Sequence, residues 1–94
     1  MATVTVRVPT PLRGYTGGNA VLEAQGNDVG EIVRRLGKEH EGFGERVLDP
    51  AGEPRSFVNL FLGDENIRSL DGLKTPVRDG DVLSIVPAVA GGRP

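Results

Sequence analysis

The chain has no cysteine and only one histidine, which removes most conventional catalytic and metal sites. Without cysteine there is no disulfide framework, no thiolate nucleophile and no zinc site built on sulfur. His40 alone does not form a two-histidine metal site, and a lone polar histidine near a helix end is ordinarily solvated. No nucleophile–base pair or metal-ligand set can be assembled from this inventory, so we expect no enzyme activity and no bound metal or cofactor.

Long apolar runs and basic clusters are also missing. No run approaches the roughly 20 residues that span a bilayer, and the first residues lack the apolar core of a signal peptide. The net charge is −2, and the basic residues are dispersed, whereas a nucleic-acid-binding surface is basic and grouped. We therefore expect a cytoplasmic protein with no membrane or nucleic-acid partner.

The hydrophobic pattern predicts a hairpin followed by one main helix. Valines alternate with polar residues over residues 3–8, which is typical of a half-buried strand, and residues 20–24 are expected to pair with it. Asp28 and Glu31 resemble a capping box, and apolar residues recur at helical spacing after them. The pattern fades near His40, where we expect the helix to end.

The second half of the chain predicts further strands. Residues 57–62 are apolar almost throughout, which favours a central strand covered on part of both faces. Residues 63–66 are predicted to turn, and residues 67–70 to form a short strand or an irregular edge. An Asp-Gly turn signal then precedes a last strand at residues 81–86.

This order of elements indicates an α+β fold with one helix over a mixed sheet of four to five strands. Two hairpins flanking a helix, with the first and last strands as parallel neighbours, make the β-grasp arrangement. We assign residues 1–87 to this domain. Residues 88–94 have no capacity to pack as a regular element and form a predicted flexible tail that carries Gly91-Gly92.

A small β-grasp pattern that ends in a diglycine resembles the ubiquitin-like proteins. More narrowly, it resembles the MoaD/ThiS family of bacterial sulfur carriers, and within it the cysteine-biosynthesis carriers. The resemblance covers nearly the whole chain. Its matching segments are residues 6–12 with 16–18, then 45–50, 55–62, 64–68 and 79–92.

The resemblance implies a carrier on which enzymes act. An E1-like adenylyltransferase of the MoeB/ThiF type uses ATP to adenylate the carboxylate of Gly92. A sulfur donor then displaces AMP and leaves a thiocarboxylate, which gives its sulfur to a biosynthetic enzyme. In the cysteine route that acceptor is an aminoacrylate on a PLP-dependent cysteine synthase, and a JAMM-type peptidase releases the product.

The tail suits this chemistry physically. Glycine has no Cβ, so its backbone approaches a partner closely. Pro87 stiffens the exit from the last strand. Five residues extend at most about 16–18 Å, which is enough to enter a buried partner site. These five are Ala88, Val89, Ala90, Gly91 and Gly92.

Arg93-Pro94 departs from the family pattern, because mature carriers end at the second glycine. The carboxyl group of Gly92 is here part of a peptide bond and cannot be adenylated. Some family members are precursors trimmed by JAMM-type metalloproteases, so we expect cleavage between Gly92 and Arg93. The alternative is that the two extra residues are a cloning remnant or a tolerated extension.

A partner-docking patch is expected beside the tail. Phe57, Asn59 and Phe61 should share one face of their strand, and a single helix covers only one face of the sheet. Together with Val82 or Val86 of the last strand they are candidates for docking. The alternative is that all of them belong to the ordinary core.

Other charged residues have simpler interpretations. Arg13, Arg55 and Arg68 are candidates for pairing with an acidic partner surface, with solvated surface charge as the alternative. Asp79 and Asp81 flank a glycine, but two carboxylates without a further ligand pattern fall short of a calcium loop. Turn formation explains them better.

Two other functions remain open from the sequence. The chain could be a protein modifier joined through Gly92 to lysines of its targets. It could also be a non-covalent β-grasp binding subunit with an idle tail.

Overall fold

The first and last strands of the chain lie side by side at the centre of a five-stranded sheet. A computed structural model describes residues 1–87. The sheet order is β2-β1-β5-β3-β4, with β1 and β5 parallel and the other pairs antiparallel. The strands are β1 (Ala2–Arg7), β2 (Val21–Gly26), β3 (Val58–Leu62), β4 (Glu65–Asn66) and β5 (Val82–Pro87). The predicted α+β, β-grasp arrangement is confirmed.

The helices lie against one face of this sheet. The main helix, α1 (Val29–Glu39), is followed by a short helix, α2 (Phe43–Val47). Val4 and Val6 of β1 are fully buried in the core, and so is Phe43 of α2. Among residues 1–87, even the longest helix is too short to cross a bilayer.

Paired side chains begin helix α1. The backbone N–H of Glu31 donates to Oδ1 of Asp28 at 2.8 Å, and Oε1 of Glu31 accepts from the N–H of Asn27 at 2.6 Å. The predicted cap is therefore present, although Glu31 reaches one residue further back than in a standard capping box. The cap fixes where the helix begins, and the apolar stripe that follows is buried: Val29, Ile32, Val33 and Leu36.

Two glycines set how closely the helices approach. A Cβ added to Gly37 of α1 would lie 3.1 Å from the Cα of Gly44 in α2. Side chains at this contact would push the helices apart. Gly42 has a φ of +86° and makes the reversal between the helices, a conformation that costs glycine little.

The region after β3 differs in part from its sequence prediction. Residues 63–66 do more than turn, because Glu65 and Asn66 pair with Leu62 and Phe61 as β4. The short-strand interpretation of residues 67–70 is wrong, since Ile67–Ser69 is a 3-10 helix. Its cause is local: Oδ1 of Asn66 accepts from the N–H of Arg68 at 2.9 Å.

Two aspartates hold the turn that precedes β5. Asp79 Oδ1 accepts from the N–H of Thr3 at 2.7 Å, and Asp81 Oδ2 accepts from the N–H of Arg78 at 2.8 Å. The N–H of Gly80 donates to the carbonyl of Thr3. These bonds join the start of β5 to the start of β1, so the turn interpretation of both aspartates is confirmed.

Replacing Asp28 by Ala tests the helix cap. We expect the free energy of unfolding to fall by about 1 kcal/mol, because the N–H of Glu31 loses its acceptor. Urea denaturation measures it, with Asp64→Ala as the control, since Asp64 is an exposed turn residue. Equal losses in both variants would contradict a specific capping role.

Candidate functional site at the tail exit and the outer sheet face

The tail departs from the middle of one end of the sheet. β5 is the third of the five strands, and its last residue, Pro87, pairs with Val58 of β3. The predicted sulfur attachment at Gly92 and cleavage before Arg93 fall outside the described residues. So does the predicted arm, residues 88–91.

Four predicted docking residues share the face of the sheet that the helices leave uncovered. Leu83 of β5 is buried against the helices, so the alternate residues Val82 and Val86 point the other way. Asn59 is the register partner of Val86, and Phe61 is two residues further along β3. Val86 is 41% exposed and the other three are half-buried. We call Asn59, Phe61, Val82 and Val86 the outer-face patch; its docking role stays a prediction.

Phe57 does not belong to this patch. The strand begins at Val58, and Phe57 lies in the preceding turn, 52% exposed. It lines a groove of about 410 Å³ at the base of the tail, together with Tyr15 and Pro87. Sequence alternation placed Phe57 on the face of β3, but the turn removes it from the strand.

Hydrogen bonds connect the outer-face patch to the 3-10 helix that follows β4. Oδ1 of Asn59 accepts from a guanidinium nitrogen of Arg68 at 3.0 Å and faces the amide of Asn66 at 3.4 Å. A second nitrogen of Arg68 makes a longer contact, 3.5 Å, to the carbonyl of Val58. Sequence reasoning missed this network because it depends on the pairing of β3 with β4.

Arginine–aromatic pairs surround the groove at the tail base. Arg46 donates from Nε to the hydroxyl of Tyr15 at 2.7 Å, and its guanidinium lies 5.3 Å from the centre of that ring. Arg55 lies 6.0 Å from the centre of the Phe57 ring. Neither Tyr15 nor Arg46 was a candidate from the sequence, because the two are 31 positions apart and meet only through the fold.

The remaining candidates in the described part of the chain are a metal site, His40 and a second groove. Within residues 1–87, no three His, Asp or Glu side chains form a group suited to a metal ion. The ring of His40 packs edge-on against Phe43, with centroids 6.4 Å apart. A larger groove of about 680 Å³ lies between α1 and α2, and its lining includes Val33, Leu48 and Pro50. No nucleophile–base pair is present among the described residues that line this groove.

Comparison with known proteins identifies the family. Residues 6–92 match the ThiS family. The chain is 43% identical over 91 residues to the sulfur carrier protein CysO of Mycobacterium tuberculosis, covering 95% of this chain and 98% of that protein.

Solved structures agree with the sequence match. A chain of the Amycolatopsis orientalis BexX/CysO complex superposes with a TM-score of 0.88 at 43% identity, covering 95% of this chain and 99% of that one. Small archaeal modifier protein 1 of Methanosarcina acetivorans gives 0.86 at 28% identity, covering 98% of each chain. This chain belongs to the ThiS/MoaD family of ubiquitin-fold sulfur carrier proteins.

Proposed function

We propose that this carrier works through the carboxylate of Gly92 after hydrolysis of the Gly92–Arg93 bond. One observation carries the proposal: the family match ends at Gly92 and leaves Arg93 and Pro94 outside it. While Arg93 is attached, the carboxyl group of Gly92 is an amide and has no oxygen anion to attack ATP. A JAMM-type metalloprotease is the class of enzyme proposed for this cleavage.

The chemistry that follows takes place on the partners. A carboxylate is a poor electrophile, so an E1-like adenylyltransferase of the MoeB/ThiF type joins it to the α-phosphate of ATP and releases pyrophosphate. A donor of sulfide-level sulfur, such as hydrosulfide, then attacks the acyl carbon, AMP leaves with the bonding electrons, and loss of the sulfur's proton leaves a thiocarboxylate. In this scheme the chain is a carrier, not an enzyme, and needs no bound cofactor.

Cysteine or a related thio-metabolite is the proposed destination of the sulfur. The similarity to CysO supports this choice, and so does the existence of a CysO complex with a second protein, BexX. The proposed acceptor is a biosynthetic enzyme such as a PLP-dependent cysteine synthase. The outer-face patch is suited to docking such partners, because Val82 and Val86 lie on the strand that leads into the tail and Asn59 and Phe61 lie on the strand paired with it.

Intact mass spectrometry tests the processing step. We expect incubation with the JAMM-type protease to remove the mass of Arg-Pro. Subsequent incubation with the E1-like enzyme, ATP and a sulfur donor should replace one oxygen by sulfur. A chain ending at Ala90 serves as the control and should stay unmodified. If a chain ending at Gly92 accepts no sulfur from a competent enzyme, the proposal fails.

Phe61→Asp tests the outer-face patch. We expect weaker binding to the E1-like enzyme with little change in thermal stability, because Phe61 is only half-buried and a charge there opposes apolar contact. Val21→Asp is the matched control, since Val21 is 55% exposed and lies on the far edge strand β2. Global unfolding of Phe61→Asp would instead assign this residue to the core.

Conjugation to other proteins is the second candidate function. The likeness to small archaeal modifier protein 1 favours it. Both functions need adenylation, but their products differ. A modifier forms isopeptide bonds from Gly92 to lysines, which appear as slower bands on denaturing gels, whereas a sulfur carrier accumulates a free thiocarboxylate.

A further inference from the structure

Three arginines surround the point where the tail leaves the sheet. Arg68 contacts the carbonyl of Val58, which is the register partner of Pro87. Arg46 lines the same groove as Pro87 at the tail base. Arg55 lines an adjoining groove with Arg46. We call Arg46, Arg55 and Arg68 the tail-exit arginines.

Neutral groups hold these arginines in place. Arg46 donates to the Tyr15 hydroxyl, Arg68 donates to the Asn59 side chain, and Arg55 donates from Nε to the carbonyl of Glu45 at 2.7 Å. Such acceptors fix the position of a guanidinium without cancelling its charge. Each planar group keeps further N–H donors for another acceptor.

No carboxylate in the described part of the chain neutralises them. The single ion pair among residues 1–87 joins Arg35 and Glu31 on α1, at 3.6 Å. Glu45 lines the same groove as Arg46 and Arg55, but its carboxylate is not within ion-pairing distance of either. The arginines are thus oriented and have no ion-pair partner among residues 1–87, on a chain that has an excess of acidic residues.

The opposite end of β5 carries the reverse charge. Asp79 and Asp81 precede the strand, and Asp64 lies in the β3–β4 turn, whose Gly63 donates to the carbonyl of Val82. Five residues of strand separate that end from Pro87, about 17 Å. Arg78 adds one positive charge beside Asp79. The charges are therefore distributed unevenly along β5, with carboxylates near its start and the tail-exit arginines near its end.

We infer that the tail-exit arginines bind carboxylates on the protein that receives the tail, in a cluster of Asp and Glu beside the entrance of its active site. This inference rests on the proposed function and names the chemistry of that partner. The charge polarity orients approach: an acidic entrance repels the far end of the carrier and attracts the end that bears the tail.

The properties of the chain favour a protein carboxylate over a polyanion. A nucleic acid or anionic membrane needs a broad basic field, whereas this chain has a net charge of −2 and the tail-exit arginines number three. The planar guanidinium fork suits bidentate contact with a carboxylate. The guanidinium groups of Arg46 and Arg55 lie over the rings of Tyr15 and Phe57, respectively.

Binding to the E1-like adenylyltransferase of the same organism tests the inference. The unaltered chain ending at Gly92 is compared by calorimetry with the triple variant Arg46→Gln, Arg55→Gln, Arg68→Gln. We expect Kd to rise roughly tenfold, as for a few partly exposed charge pairs, and to depend less on salt than in the unaltered carrier. The control is Arg34→Gln, Lys74→Gln, Arg78→Gln, which changes the net charge equally and should alter Kd less than about twofold.

Each outcome decides between explanations. Equal Kd values for the two triple variants overturn the inference, as does the absence of any binding by the unaltered carrier. Tighter binding by the tail-exit variant also overturns it, and indicates that these arginines hold the chain's own terminal carboxylate. Replacing the same three arginines by lysine keeps the charge and should restore part of the affinity, and no restoration would reject attraction by charge as the basis of binding.

Adenylation in the same samples separates this inference from the proposed function. Failure to adenylate, together with a selective loss of affinity in the tail-exit variant, rejects the proposed chemistry and retains the docking inference. Normal adenylation, together with an affinity of the tail-exit variant that equals that of the unaltered carrier, retains the proposed chemistry and rejects the docking inference.

Discussion

The parallel pairing of β1 with β5 is the constraint on which the rest of the structure depends. It places the last strand between the first strand and β3, so the tail begins at the centre of the sheet. β1 pairs with β5 as far as Ser84, and β3 pairs with it as far as Pro87, so β3 holds the strand where the tail begins. The pairing also requires a crossover between distant parts of the sequence, and helix α1 in that crossover covers the inner face. The helices leave the outer face uncovered.

Local sequence signals predicted most of this fold. Alternating valines gave β1, and the Asp28–Glu31 pair gave the start of α1, because both features act over a few residues. The diglycine supported the β-grasp arrangement through resemblance. The 3-10 helix after Asn66 was missed because a single side chain, bonding to the backbone two residues later, decides it.

The candidate site was less accessible to sequence reasoning. The outer-face positions of Asn59 and Phe61 follow from strand alternation, but Phe57 fell one residue outside the strand, where alternation no longer applies. The neighbourhood of Arg46 and Tyr15 depends on how α2 packs against the segment after β1. Such long-range contacts carry no local signature. The terminal glycines were the reverse case, because their proposed role follows from the family resemblance and needs no knowledge of the fold.

The choice of arginine at the tail exit has a chemical consequence. The only lysines of the chain are Lys38 on α1 and Lys74 at the end of another short 3-10 helix, Gly72–Lys74, which packs against the start of α1. An amine beside an activated acyl group attacks it and forms a permanent amide. A guanidinium remains protonated in neutral solution and is not a nucleophile there. In the proposed chemistry, the positive charge around the tail exit would therefore attract acidic groups without offering the activated terminus a competing amine beside it.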